Sequence, residues 1–139
     1  MSTESPPGWL TEAVDAVLAD LQQPQAIPLE VSYGREQWDS ATCWVVHLRE
    51  LSETGRISFI VPPEERGAAL LERFADYLQE QFFPETRGGW GQARPACPGH
   101  PHPATPSWDE QTDTAWWRCP STRRDIARIG HHRQDQHHT

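Results

Sequence analysis

The chain has 139 residues, 36% of them hydrophobic, and a formal net charge of -8, which suits one ordinary domain with a modest core. No run approaches the ~18 consecutive apolar residues of a membrane span. The first residues, Met1 to Pro7, have neither the positive charge nor the apolar stretch of a secretory signal.

The first predicted element is a helix over residues 9–21. Leu10, Val14, Val17, Leu18 and Leu21 recur at helical spacing on one stripe, Glu12 sits early where the dipole favours an acid, and Pro24 and Pro28 end the pattern. Three strands are expected next. Residues 27–33 alternate strictly, and Pro28 marks a strand start or an edge. An edge strand of this kind can pair with a second copy, so a homodimer is expected there. Residues 41–50 place Trp44, Val46 and Leu48 on one face and Cys43, Val45 and His47 on the other. Residues 56–61 place Ile57, Phe59 and Val61 on one face, and the short link ending in Gly55 predicts a hairpin with a positive-φ corner. A second helix is predicted over residues 63–83, opened by Pro63, Glu64 and Glu65, with Leu70, Leu71, Phe74, Leu78 and Phe82 as its buried stripe.

These elements predict an α+β fold: an acidic α-β-β-β-α two-layer body over residues 1–85, with a small antiparallel sheet covered by two helices. Composition changes at residue 84. From Pro84 to Pro106 there are six prolines and four glycines, too few apolar residues for a separate core. Residues 86–130 are expected to form a zinc-ribbon-like extension, and residues 131–139 a loose tail. The extension is predicted to hold a strand over residues 114–119 and a short helix over residues 121–129 that stops at Gly130.

The extension carries the chemistry. Residues 97–103 read Cys-Pro-Gly-His-Pro-His-Pro, and sixteen residues separate His102 from Cys119, which is again followed by proline. Zinc takes thiolate and imidazole in a tetrahedron, with ligands two to four residues apart on each arm. Proline fixes the backbone after the Cys97 sulfur, and glycine permits the tight return that aims His100 at the same ion. Cys97, His100, His102 and Cys119 are therefore the predicted metal ligands, with His131 or His132 as substitutes for His102 if the last helix folds back. Four ligands leave no open position, which favours a structural ion. Such an ion can supply roughly 10 kcal/mol or more of folding energy to a segment without a core.

The tail resembles that of a group of small actinobacterial proteins with a Cys-Pro-x-His-x-His-Pro turn, then Trp-x-Cys-Pro, then Ile-Gly. The matching residues are Cys97 to Pro103, Trp117 to Pro120 and Ile129-Gly130, with Ala104 where the group has leucine. The resemblance covers roughly residues 90–130 and implies no activity.

Cys43 and His47 would stand about 13 Å apart along a strand, so packing roles are expected for both. Tyr33, Trp38 and Trp44 read as core or edge-covering aromatics. Trp116 and Trp117 face opposite sides of a strand, one over the metal turn and the other docked on the body or exposed to a partner. Together with Arg118 they are the predicted partner-binding residues. Arg118, Arg123, Arg124 and Arg128 form a basic cluster expected to pair with acids of the body.

Residues 1–85 hold 15 acids against five arginines, an imbalance that argues against broad nucleic-acid binding. An odd count of three cysteines, without a secretory signal, fits a reducing cytoplasm. Nucleophile-elbow, phosphate-loop and His-Glu-x-x-His signatures are lacking, and the Gly88-Gly89-Trp90-Gly91 run follows a helix rather than a strand. The expectation is a zinc-binding accessory protein that meets a protein partner. Its element order is similar to that of small acidic secretion chaperones, a likeness of fold only. The alternatives are a zinc-dependent hydrolase, with Glu110 or Asp113 as base beside an open zinc, and a nucleic-acid-binding zinc module.

Overall fold

A computed structural model describes residues 5–23, 25–86 and 92–132. The 88–91 run and the tail beyond residue 132 lie outside the described residues. Helix α1 spans Gly8–Leu21 and buries Leu10, Val14, Val17 and Leu21, the stripe that the periodicity predicts. Its first turn holds no acid, so Glu12 sits too far along to meet the dipole end. After the helix, the Gln22 side chain both donates to the Ile27 carbonyl and accepts from the Ile27 N–H, closing the loop as a strand neighbour would.

Strands β1 (Leu29–Trp38), β2 (Ala41–Glu50) and β3 (Ile57–Val61) form an antiparallel sheet in that order. The first strand runs five residues past its predicted end because Gly34 to Trp38 pair with Ala41 to Val45 around a two-residue turn. Asp39 and Ser40 take φ of 55° and 71° there, a turn usually filled by Asn and Gly, so the local signal is weak. The second hairpin forms as expected, but Gly55 is not among the positive-φ residues.

Helix α2 spans Gly67–Gln81. It starts four residues later than the proline pattern predicts. Pro63 and Glu64 form a turn, and Glu65 instead pairs with Arg73 in the second turn of the helix. The Ala68 N–H is capped from a distance by Asp113 Oδ1 at 3.1 Å. Gly67, at φ 66°, is required on two counts, since a Cβ there would also lie 2.7 Å from Asp113 Oδ2. A single 3-10 turn, Phe83–Glu85, follows.

The second sheet contains β4 (Thr105–Asp109), β5 (Thr114–Arg118) and β6 (Asp125–Arg128), all antiparallel and in that order. The strand over 114–118 was expected; β4 was not, because Pro106 masks its pattern. The predicted helix over residues 121–129 is absent. The chain turns back at Cys119, where its N–H donates to the Arg124 carbonyl at 2.9 Å and the Arg123 N–H to the Cys119 carbonyl at 2.7 Å. Arg123 takes φ 63° in this turn, which sends residues 125–128 back along β5 instead of into a helix.

The class is α+β: the described residues form two helices and two small three-stranded antiparallel sheets. Helix α2 packs against α1, β3, β4 and β5. The core is continuous across the composition change at residue 84, since Ala104, Ala115, Trp117 and Ile129 join the same buried cluster as Val46, Phe59 and Phe74. Among the described residues, no helix is long and apolar enough to cross a membrane.

Candidate metal centre

Two turns bring the candidate ligands together. Ala96 and Pro103 bridge, the His100 N–H donates to the Cys97 carbonyl at 3.0 Å, and Gly99 takes φ 76°. Proline then glycine at the two central positions is the pattern of a type II turn, which only a residue tolerant of positive φ can complete. Cys119 enters from the other side, directly after β5. Its sulfur accepts the Thr122 N–H at 3.4 Å.

His100 Nδ1 lies 3.3 Å from Cys97 Sγ and 3.4 Å from Cys119 Sγ. One ligand atom from each of Cys97, His100, His102 and Cys119 falls within 4.8 Å of every other. A tetrahedral zinc with Zn–S near 2.3 Å and Zn–N near 2.05 Å would set its sulfur and nitrogen about 3.6 Å apart. The two edges at His100 lie near that figure, and the four donors together are close enough to hold a metal ion such as zinc. The two His rings lie 4.8 Å apart, centroid to centroid. His102 Nδ1 is 3.2 Å from the Pro103 carbonyl, the kind of contact that fixes a ligating ring through its other nitrogen. Ser121 Oγ stands 3.2 Å from His102 Nε2, at the position where a ribbon's second arm usually offers another ligand.

Both thiols are buried while His100 is exposed, so the group has one protein face and one solvent face. Burial pushes the Cys97 thiol up, and the neighbouring Cys119 adds to the rise. Hydrogen bonds from Thr122, side chain first and then backbone, bring the Cys119 thiol down. A metal ion would favour the thiolate of both.

The substitutes for His102 do not approach the group. His132 is buried, and its Nε2 is 3.0 Å from the Ala96 carbonyl. His131 is exposed and is not among the clustered donors. Glu110 and Asp113 sit in the β4–β5 turn, roughly 14 Å along the strand from Arg118 and the ligand end. Asp113 is engaged in capping α2. The arrangement therefore brings four donors together and leaves the two candidate bases at the other end of the hairpin.

The two tryptophans divide as adjacent strand residues must. Trp117 is fully buried and its Nε1–H donates to Asp20 Oδ2 at 2.6 Å, so the expectation that it meets a partner is corrected: it is core. Trp116 lies half-buried on the outer face with the Arg128 guanidinium 5.7 Å from its ring. Arg118 pairs with Asp125 of its own sheet at 3.1 Å, not with the acidic body. Arg128 lies on β6 and Arg124 in the turn that precedes it. Trp116, Arg118, Asp125, Ser107 and Asp109 line a shallow cavity of 370 Å³ on this face. Cys43 is buried on β2, and His47 pairs with Ser58 at 2.8 Å, which agrees with their packing roles.

The sequence reading missed Asp20. This buried carboxylate on α1 accepts from Trp117 Nε1, from the Gly130 N–H and from the His132 N–H. Desolvation raises its pKa above the ordinary carboxylate value, and the three donors oppose the rise. Its position on the apolar stripe, between Val17 and Leu21, was the available signal. Arg94 was also missed. It is buried with its guanidinium donating to the Leu21 carbonyl at 2.9 Å and lying 5.7 Å from the Phe83 ring.

Comparison of the chain with protein-family models, with curated proteins and with solved structures gives no match.

Proposed function

We propose that this is a cytoplasmic accessory protein in which Cys97, His100, His102 and Cys119 hold one structural zinc ion, and that the sheet organised by this ion presents Trp116 and Arg118 to a protein partner. The observation that supports it most is the convergence of two sulfurs and two imidazoles within 4.8 Å from turns that are otherwise rich in proline and polar residues. Zinc is preferred among metals because the donors are half thiolate and half imidazole, a set that suits a borderline-soft ion with tetrahedral geometry. A closed set of four is the pattern of a structural centre, and the distant placement of Glu110 and Asp113 weighs against a hydrolase. An exposed outer face with an aromatic ring between charged groups supports a protein interface. The net charge of -8 and the Arg118–Asp125 pair weigh against nucleic acid.

Metal analysis of the purified protein tests the centre. About one zinc per chain is expected, falling to near zero in Cys97→Ser and Cys119→Ser variants. A metal-free chain that is fully folded overturns the zinc reading. For the interface, Trp116→Ala should keep the fold and the zinc yet lose the co-purifying partner. Unchanged partner recovery in that variant overturns the interface.

A further inference from the structure

The two candidate thiols have a second property that the zinc reading does not use. They belong to separate turns, yet their sulfurs lie within 4.8 Å of each other across the His100 ring. Each turn has a solvent side: Pro98, Gly99, His100, Pro120, Ser121 and Thr122 are all exposed. The third cysteine, Cys43, is buried on β2 of the first sheet and is not among the clustered donors. The molecule thus has one adjacent pair of sulfurs beside a solvent opening, and one isolated sulfur in its core.

We propose that Cys97 and Cys119 form a peroxide-responsive pair: a hydroperoxide oxidises them to an intramolecular disulfide, and the metal is expelled. The proposal rests on the zinc reading for the expelled ion only. Chemically, one thiolate attacks a peroxide oxygen, the O–O bond breaks, and a sulfenic acid forms while the leaving hydroxide (or alkoxide) takes up a proton from solvent to become water (or alcohol). The second thiolate attacks the sulfenic sulfur, the S–S bond forms, and hydroxide leaves as water after taking up a proton. Two electrons pass from the sulfurs to the peroxide, and with hydrogen peroxide two waters are produced. The sulfurs, within 4.8 Å of each other, must close to about 2.05 Å. The remaining pair, His100 and His102, offers only two imidazoles and holds zinc far more weakly. The exposed His100 ring, which lies between the sulfurs, is free to swing towards solvent as they approach.

The test uses the full zinc-loaded chain and hydrogen peroxide, with three readouts: zinc release to a chromogenic chelator, free-thiol titre, and peptide mapping under non-reducing conditions. The expected result is release of zinc in step with a fall from three free thiols to one, a Cys97–Cys119 linked peptide, and reversal by dithiothreitol with added zinc. A Cys43→Ser variant should behave like the wild type, with its titre falling from two to zero. Sulfinic acids, intermolecular disulfides through Cys43, or retention of zinc at full oxidant dose overturns the proposal and leaves the zinc centre standing. A protein that never held zinc but forms the same linked peptide upholds the thiol pair while the zinc reading fails. Because mapping is done on the wild-type chain, the outcome does not depend on whether either ligand variant folds.

Discussion

Both sheets have three antiparallel strands, the first with the longer ones, but they are held in place differently. The first presents Val46, Leu48, Phe59 and Val61 to α1 and α2, and its position follows from burying one apolar face. The second adds few large apolar side chains, chiefly Trp117 and Ile129, and is otherwise tied down by single polar contacts. Asp20 takes one donor from β5, Trp117, and two from the segment after β6, Gly130 and His132, Gln79 donates to the Arg94 and Ala104 carbonyls, and Asp113 caps α2. The Cys/His group closes its far end. A sheet held by area tolerates local loss, whereas a sheet held by points depends on each of them.

Removing the proposed zinc tests this contrast most severely. Chelation should cost the second sheet roughly 10 kcal/mol of ordering energy while the first keeps its packing. Hydrogen exchange should then show lost protection across residues 96–132 and retained protection in β2 and α2. Equal loss in both halves would show that the two sheets unfold as one unit. Trp117→Ala comes next. It removes a fully buried ring that joins the second sheet to Asp20 of α1 and should destabilise the whole chain by about 3–5 kcal/mol in urea unfolding.

Asp20→Ala should follow at about 2–4 kcal/mol, because two buried N–H groups and one half-buried one lose their acceptor. Its pH dependence has a definite sign. Burial raises the pKa of Asp20 in the fold, so its contribution is fully present below the unfolded value and declines as pH rises through the folded one. The stability gap between wild type and Asp20→Asn should therefore narrow with rising pH across that window, read by urea titrations at a series of pH values. A gap that widens would mean that the three donors outweigh desolvation. Asp113→Ala should cost only about 1 kcal/mol, the worth of a helix cap, and its effect should be confined to fraying of the first turn of α2.

The same contrast explains what the sequence disclosed. Helix α1 and strand β2 were legible almost to the residue because burying an apolar face leaves a periodic trace. The Cys-Pro-Gly-His turn was legible because its chemistry is local: four consecutive residues set the geometry. Strands β4 and β6 left no such trace. Pro106 breaks the pattern of one, and the other is created by the return of the chain at Arg123. The start of α2 was misplaced because its cap, Asp113, lies 45 residues further on. Asp20 went unnoticed for a related reason, since its donors are 97, 110 and 112 residues away.

That last separation has a consequence for biosynthesis. Asp20 leaves the ribosome early, and the groups that satisfy it arrive only once the chain has been made through His132. At a few tens of residues out, α1 has its apolar stripe but no counterpart for the carboxylate that sits within it. The helix therefore has reason to remain provisional during translation, and the final docking of Trp117 signals that the chain has been made far enough to lock. A nascent chain stalled before residue 117 should stay protease-sensitive in α1, although that segment's own sequence already favours the helix.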